Sequence, residues 1–286
     1  MWIVFAFLSA LFAGLTSILA KCGIRKTDST VATAIRTIVV LFMSFGMVLI
    51  VGSLHGIREI APRTWLFLVL SGLATGASWL CYFRALQLGD VNKVVPIDKS
   101  STVLTILLAF LFLQEPLSMG KAVGVVLIAA GTFLMIEKRQ GTTAAAAGRG
   151  WLFYAAGSAI FASLTAILGK VGISGVDSNL GTAIRTGVVL VMAWVMVFVT
   201  GKQHTIREIP RRELVFLCLS GIATGASWLF YYRALQIGDT ARVAAVDKCS
   251  IVLTMILAFL ILGEKPAPKT VCGVLIIAAG TLVLVL

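Results

Sequence analysis

Apolar runs of roughly 18 to 25 residues recur from one end of this chain to the other, and that length carries a helix across a lipid bilayer. A soluble fold has no way to cover them. Of 286 residues, 59% are hydrophobic and 13% charged, with a mean hydropathy of +1.02, whereas ordinary globular domains carry about 25% charged residues. A membrane β-barrel would alternate apolar and polar positions, and runs such as VLIAAGTFLM do not. The pattern therefore predicts an integral helical membrane protein. The first run, Trp2–Ala20, has no basic residue before it and is longer than a signal-peptide core, so it is expected to be a retained helix. The net charge of +12 resides mostly in short loops between runs, where anionic headgroups account for it without nucleic acid.

The runs are written twice. GASWLCYFRALQLGD (76–90) returns as GASWLFYYRALQIGD (225–239), and the same offset of 149 holds without a gap from Trp2/Trp151 to the end of the chain, with about half the positions identical. One unit is Met1–Glu137 and the other Gly150–Leu286, and the polar, alanine-rich KRQGTTAAAAGR at 138–149 reads as a linker. Each unit holds five spans: Trp2–Ala20, Val31–Val51, Trp65–Leu88, Val91–Leu113 and Lys121–Ile136, then Trp151–Gly169, Leu180–Thr200, Leu214–Ile237, Thr240–Leu262 and Thr270–Leu286. Five is odd, so the second unit enters the membrane upside down. The expected fold is an all-α integral membrane protein of ten transmembrane helices in two inverted-topology five-helix repeats, an architecture of many secondary transporters.

ALQLGD, the apolar span ending LFLQEP, and VGVVLIAAGTFLM resemble the EamA domain of the drug/metabolite transporter superfamily; ALQIGD, LILGEK and GVLIIAAGTLVL repeat the resemblance. It covers the chain apart from the linker. Each unit is also similar to the short single-domain EamA proteins that are thought to pair. The resemblance implies ten helices, alternating access and movement of a small metabolite. It also implies both termini in the cytoplasm. The distribution of Lys and Arg between loops instead favours both termini outside. The chain departs from the family at Pro96-Ile97-Asp98-Lys99 and Ala245-Val246-Asp247-Lys248, where an apolar step is usual.

Charge inside a span needs a reason: each ionisable residue costs about 2.5 to 3.5 kcal/mol at the bilayer centre. Asp98, Lys99, Asp247 and Lys248 fall early in span four of each unit, and unpaired they would cost on the order of 10 kcal/mol together. Asp98, Ser101 and Thr105 share one helical face, as do Asp247, Ser250 and Thr254. Such a stripe suits a substrate or proton site, or a structural ion pair between helices. Trp79 and Tyr82, with Trp228 and Tyr231, lie one turn apart in span three, as a cavity wall or an interfacial belt. Gly72/Gly76 and Gly221/Gly225 permit close helix approach. Arg84 and Arg233 stand near the span end and suit snorkelling. Arg36 and Arg185, both within TAIRT, lie deeper and suit pairing with Asp98 or Asp247, or clamping a carboxylate or phosphate. Glu115 and Glu264 are expected to order a helix end or loop.

The five cysteines lack metal-ligand spacing, and the other repeat carries different residues at each equivalent position, so they are expected to be reduced fillers. Two loop histidines, His55 and His204, do not make a metal site, and no Walker A sequence or nucleophile–base set is present. No cofactor or enzymatic activity is expected. The function this predicts is a secondary active transporter of a small metabolite in the cell membrane, a bacterial inner membrane, with protons as candidate coupling ion. Substrate-binding candidates are Trp79, Tyr82, Asp98, Lys99, Ser101, Trp228, Tyr231, Asp247, Lys248 and Ser250, lining a cavity of spans one, three and four. Alternatives are transport of a lipid-linked phosphate or organophosphate anion held by Arg36, Lys99 and Lys248, and a membrane-embedded enzyme or structural partner. Partners are a small-molecule substrate and membrane lipids, with a second copy of the chain as a further candidate and nucleic acid excluded.

Overall fold

Helix boundaries follow the capping chemistry of the sequence. After α1 (Trp2–Gly23), α2 (Ser29–Val51) begins where the Asp28 carboxylate accepts the amides of Thr30 (2.9 Å) and Val31 (3.4 Å). Asp177 repeats this with Asn179 (3.0 Å) and Leu180 (3.3 Å). The structure is a computed structural model and describes residues 1–24, 26–88, 94, 97–98, 100–116, 118–134, 150–263 and 267–285. Among these it is helical with no strand: α3 (Pro62–Leu88), α4 (Ser101–Leu113), α5 (Met119–Leu134), α6 (Gly150–Ile173), α7 (Ser178–Val199), α8 (Arg211–Ile237), α9 (Thr240–Asp247), α10 (Cys249–Leu262) and α11 (Pro268–Val285) follow, with 3₁₀ turns at Ser53–Arg58 and Lys202–Glu208 carrying the loop histidines. Linker residues 138–149, Lys99 and Glu264 lie outside the described residues.

Among the described residues, eight segments are long and apolar enough to cross a membrane, one of them Thr240–Ile261 across α9 and α10, while α4 and α5 are shorter apolar helices. The chain is a multi-pass membrane protein. Phe42, Ile50, Phe112, Phe153 and Val199 point outward, where a bilayer supplies the apolar contact that water would not. The second repeat's span four is divided at Asp247-Lys248, where α9 ends and α10 begins.

The most extensive helix contacts join one repeat to the other. α3 packs on α6 and, symmetrically, α8 on α1; α2 packs on α7 and α5 on α11. Small and hydroxylated residues hold these seams. Ser71 Oγ donates to the Thr165 carbonyl (2.8 Å) and Ser78 Oγ to that of Ser158 (3.1 Å). Ser220 to Thr16 (3.0 Å) and Ser227 to Ser9 (3.0 Å) are the matching bonds. Lipid tails are as apolar as leucine, so close packing and such bonds, rather than apolar burial, drive association.

The GxxxG pairs serve different seams: Gly72 and Gly76 admit α7, Gly221 and Gly225 admit α2. They differ in tolerance. A Cβ at Gly76 would lie 2.5 Å from Met192 Cβ, which cannot swing away, whereas one at Gly225 would first meet Met43 Sδ at 2.8 Å, near the end of a flexible chain. Gly76→Ala is therefore expected to cost about 1–3 kcal/mol by overpacking, and Gly225→Ala distinctly less. Thermal unfolding of the two purified variants in detergent checks the order.

Candidate substrate site

Hydroxyls, two indole rings and one guanidinium meet in a cavity of about 400 Å³ between the repeats, lined by Thr16, Thr33, Arg36, Thr37, Trp79, Tyr82, Thr224 and Trp228, with Val40 behind. That volume lies within the ordinary range for small-molecule sites, about 300–1,000 Å³. Arg36 reaches in from α2, where Thr33, Arg36, Thr37 and Val40 share one helical face. Its Nη2 donates to Thr224 Oγ1 at 2.8 Å, and its Nε is buried with no partner. Thr33, Thr37 and Thr224 each give their hydroxyl proton to the carbonyl four residues back (2.8, 2.8 and 2.7 Å), so they offer only lone pairs to their surroundings.

The same residue types in the other repeat are packed shut. Arg185 is 2% exposed; its Nε donates to Ser71 Oγ (2.9 Å) and Nη2 to Thr75 Oγ1 (2.6 Å), and it lies over the rings of Trp228 (5.1 Å) and Tyr232 (4.7 Å). Thr182, Thr186 and Val189, which match Thr33, Thr37 and Val40, are fully buried. Trp228 and Tyr231 pack against a plug of Ala6, Leu68, Ile173, Tyr232, Leu235, Val243 and Val246. Trp228 thus stands between the open cavity and the buried arginine.

The candidates named from sequence are therefore divided. Arg36, Trp79, Tyr82 and Trp228 come together at the cavity. Arg185 and Tyr231 sit on the packed side, Tyr231 edge-on to Tyr232 at 5.5 Å. The structure gives Arg36 one hydroxyl partner, and Arg185 two hydroxyls and two rings. No described residue of span four lines this cavity; α2 takes its place. Asp98 instead accepts a hydrogen bond from Ser158 Oγ at 2.7 Å, on α6, at the buried Ser78–Ser158 contact. Asp247 and Lys248 are half-buried at the break between α9 and α10. Ser101 and Ser250 are half-buried, and their main-chain carbonyls accept the hydroxyls of Thr105 (2.8 Å) and Thr254 (2.7 Å). Thr16, Thr33, Thr37 and Thr224 were not singled out from sequence. The signal that points to Thr33 and Thr37 is their position one turn either side of an intramembrane arginine.

A second polar group ties the repeats together. The Glu115 carboxylate accepts the amides of Thr240 (2.7 Å) and Ala241 (3.1 Å) at the start of α9, so it does order a helix end, though in the other repeat. Asp239 caps the same helix and pairs with Lys121 Nζ at 2.5 Å. Lys170, at the end of α6, donates to the carbonyls of Leu235 and Gly238. Burial and the adjacent Asp239 raise Glu115 above the usual carboxylate range. Asp239 is held below its usual range: burial opposes this, but Glu115, Lys121 and the Arg242 amide outweigh it. A raised carboxyl stabilises the folded state below its ordinary value and loses that contribution as pH rises through the raised one, while a depressed carboxyl contributes above its ordinary value and loses that as pH falls through the depressed one. The stability advantage of wild type over Glu115→Gln is thus expected to shrink as pH rises from mildly acid to neutral. Asp239→Asn, which strands a nearly buried ammonium, is expected to cost about 3 kcal/mol. Unfolding in detergent across pH measures both.

A membrane-spanning helical bundle with a polar cavity between two interlocked repeats has the form of a membrane transporter. The comparisons with known proteins agree. The model of the EamA-like transporter family matches residues 1–137 and again 149–286. An "Uncharacterized transporter in cobO 3'region" of Sinorhizobium sp is 50% identical over 134 residues, 47% of this chain and 95% of that one, so it has about the length of one repeat. Solute carrier family 35 member G1 of Homo sapiens is 28% identical over 225 residues, 75% of this chain and 60% of that one. A crystal structure at 17% identity shares the fold, with a TM-score of 0.75 over 99% of this chain and 95% of the other. The chain belongs to the EamA-like transporter family, and it is a transporter rather than an enzyme.

Proposed function

We propose that the protein is a secondary active transporter that moves a small metabolite by alternating access between two inverted five-helix repeats, 1–137 and 150–286, joined by the linker 138–149. The observation that carries this reading is the unequal state of matched residues. Thr33, Arg36 and Trp79 face a cavity, while their counterparts Thr182, Arg185 and Trp228 are sealed or hold the seal. Two repeats of one sequence in two environments are what alternating access needs, because exchanging the environments moves the opening to the other face. With ten spans in alternation, the late α1, early α2 and late α3 residues that line the cavity sit toward the linker face. Glu115, Lys121, Lys170 and Asp239 then lie on the opposite face, as the latch that keeps it closed. The bacterial relative that matches one repeat at 50% identity supports a bacterial inner membrane as the location.

Asp98 and Asp247 are the proposed proton carriers, one taking a proton as substrate leaves. Asp98 sits at a buried junction of α3, α6 and span four, and Asp247 at the break of span four; interrupted helices with ionisable residues mark coupling sites in such transporters. In proteoliposomes, an inward pH gradient is expected to drive uptake several-fold above the rate without a gradient. Asp98→Asn with Asp247→Asn is expected to abolish that acceleration and leave exchange at equal pH. Flux that ignores both the gradient and the double substitution would remove the proton from the mechanism.

A further inference from the structure

Arg36 is a cation inside the hydrophobic span of α2, and its surroundings do not neutralise it. Its one hydrogen bond goes to Thr224, its Nε is buried without a partner, and among the described residues no carboxylate lies within ion-pair distance of it. A guanidinium has five donor hydrogens in a flat fork that matches a carboxylate or phosphate. Charge at this depth persists where it faces a partner or a wet cavity. Arg36 lines the cavity together with Trp79, Trp228 and threonine oxygens that have already given their protons to the backbone. The wall therefore offers one strong cationic donor, two large flat apolar faces, and several acceptors.

Arg185 shows that the fold has another way to keep such an arginine. There the Nε hydrogen bond exists, to Ser71, and two rings cover the guanidinium. The first repeat has nearly the same parts for Arg36. Ser220 matches Ser71, Thr224 matches Thr75 and Trp79 matches Trp228, with Phe83 in place of Tyr232. Ser220 already donates to the Thr16 carbonyl as Ser71 does to that of Thr165, and Arg36 Nη2 already holds Thr224 as Arg185 Nη2 holds Thr75. Among the described side chains, Arg36 has neither the Nε bond nor a covering ring. Arg36 is the same group lining the cavity, with its buried Nε left without a partner.

Resting on the transporter reading above, we propose that the cavity receives an organic anion with a flat apolar body. Its carboxylate or phosphate meets Arg36 and its body lies between Trp79 and Trp228. Arg185 is the equivalent receptor for the opposite face, parked on Ser71 and Thr75 beneath Trp228. When Trp228 leaves Arg185, that arginine opens to the substrate; Arg36 then parks on Ser220 and Thr224 beneath Trp79. A substrate amino or hydroxyl group would donate to the threonine oxygens, so hydroxy and amino acids fit the wall as well as simple acids do.

Equilibrium dialysis of the full-length protein in detergent tests this with 3-phenylpropionate, phenyl phosphate, inorganic phosphate and 3-phenylpropylamine. The two aromatic anions are expected to bind, and the matched amine to bind at least tenfold more weakly. Inorganic phosphate, which has no apolar body, is expected to be weak too. The stronger of the two anions names the head group. Arg36→Gln is expected to lower affinity for the anions at least tenfold, and Arg36→Lys, which keeps the charge and loses the fork, to fall between. A melting temperature for Arg36→Lys close to wild type separates this loss from misfolding. Equal binding of acid and amine, unchanged anion binding by Arg36→Gln, or no anion binding by the wild-type protein overturns the proposal. Proteoliposome flux of the same probes keeps the two readings apart. Arg36-dependent binding without flux leaves the site standing and sinks transport of these anions, whereas flux indifferent to Arg36 does the reverse.

Discussion

Close packing across the repeat boundary is the constraint on which the rest depends. In a bilayer a helix gains little by hiding apolar surface, so its position is fixed by backbone approach and by hydroxyl bonds. Here those contacts run from α3 to α6 and from α1 to α8, with serines bonded to carbonyls on the facing helix. The extensive contacts join repeats rather than helices within one. On the proposed mechanism, a shift of one repeat against the other would move every such seam together, opening a cavity on one side as its counterpart closes.

The proposed shift exchanges the environments of the paired arginines. Buried charge is expensive, and each guanidinium needs compensation in every state the protein visits. The parked arrangement supplies two hydroxyls and two rings, with one buried Nη1 left without a partner, and suits Arg because it is weakly hydrated and planar. The open arrangement keeps only one hydroxyl bond and leaves the balance to whatever enters. A ligand that supplies negative charge is stabilised most where the protein has withdrawn its own compensation, so binding and opening are linked through the same group.

Sequence made the large elements legible because membrane spans are long and uniform. The bounds of the first eight apolar runs agree with helices to within a few residues where the structure describes them, and duplication was visible as a constant offset. TAIRT marked both arginines, and the one-turn spacing of Trp79 and Tyr82 placed them on a wall. What stayed hidden depended on the partner repeat. Nothing local to Thr224 or Thr16 shows that each faces the first arginine's cavity, since both lie far from Arg36 in sequence. Nor does GxxxG reveal that Gly76 meets an immovable Cβ where Gly225 meets a flexible sulfur. Identical local sequence also conceals different state: TAIRT is half-open in one repeat and sealed in the other.

The repeats diverge least in the wall and more at the latch, and that difference carries a consequence. Ser71, Thr75, Trp79 and Tyr82 are matched residue for residue by Ser220, Thr224, Trp228 and Tyr231, so on the proposed mechanism a substrate would meet similar chemistry from either side. At the latch, Lys121 pairs with Asp239, but the position matching Lys121 is Thr270. If equivalent helices close the two faces, as proposed, they do so with unequal charge. A carrier symmetric at its wall and asymmetric at its gates can bind alike from both sides yet spend unequal time open to each, because the ion pair adds to the stability of one closed face alone. On that proposal the wall would decide what is carried, and the latch would bias which way the carrier rests.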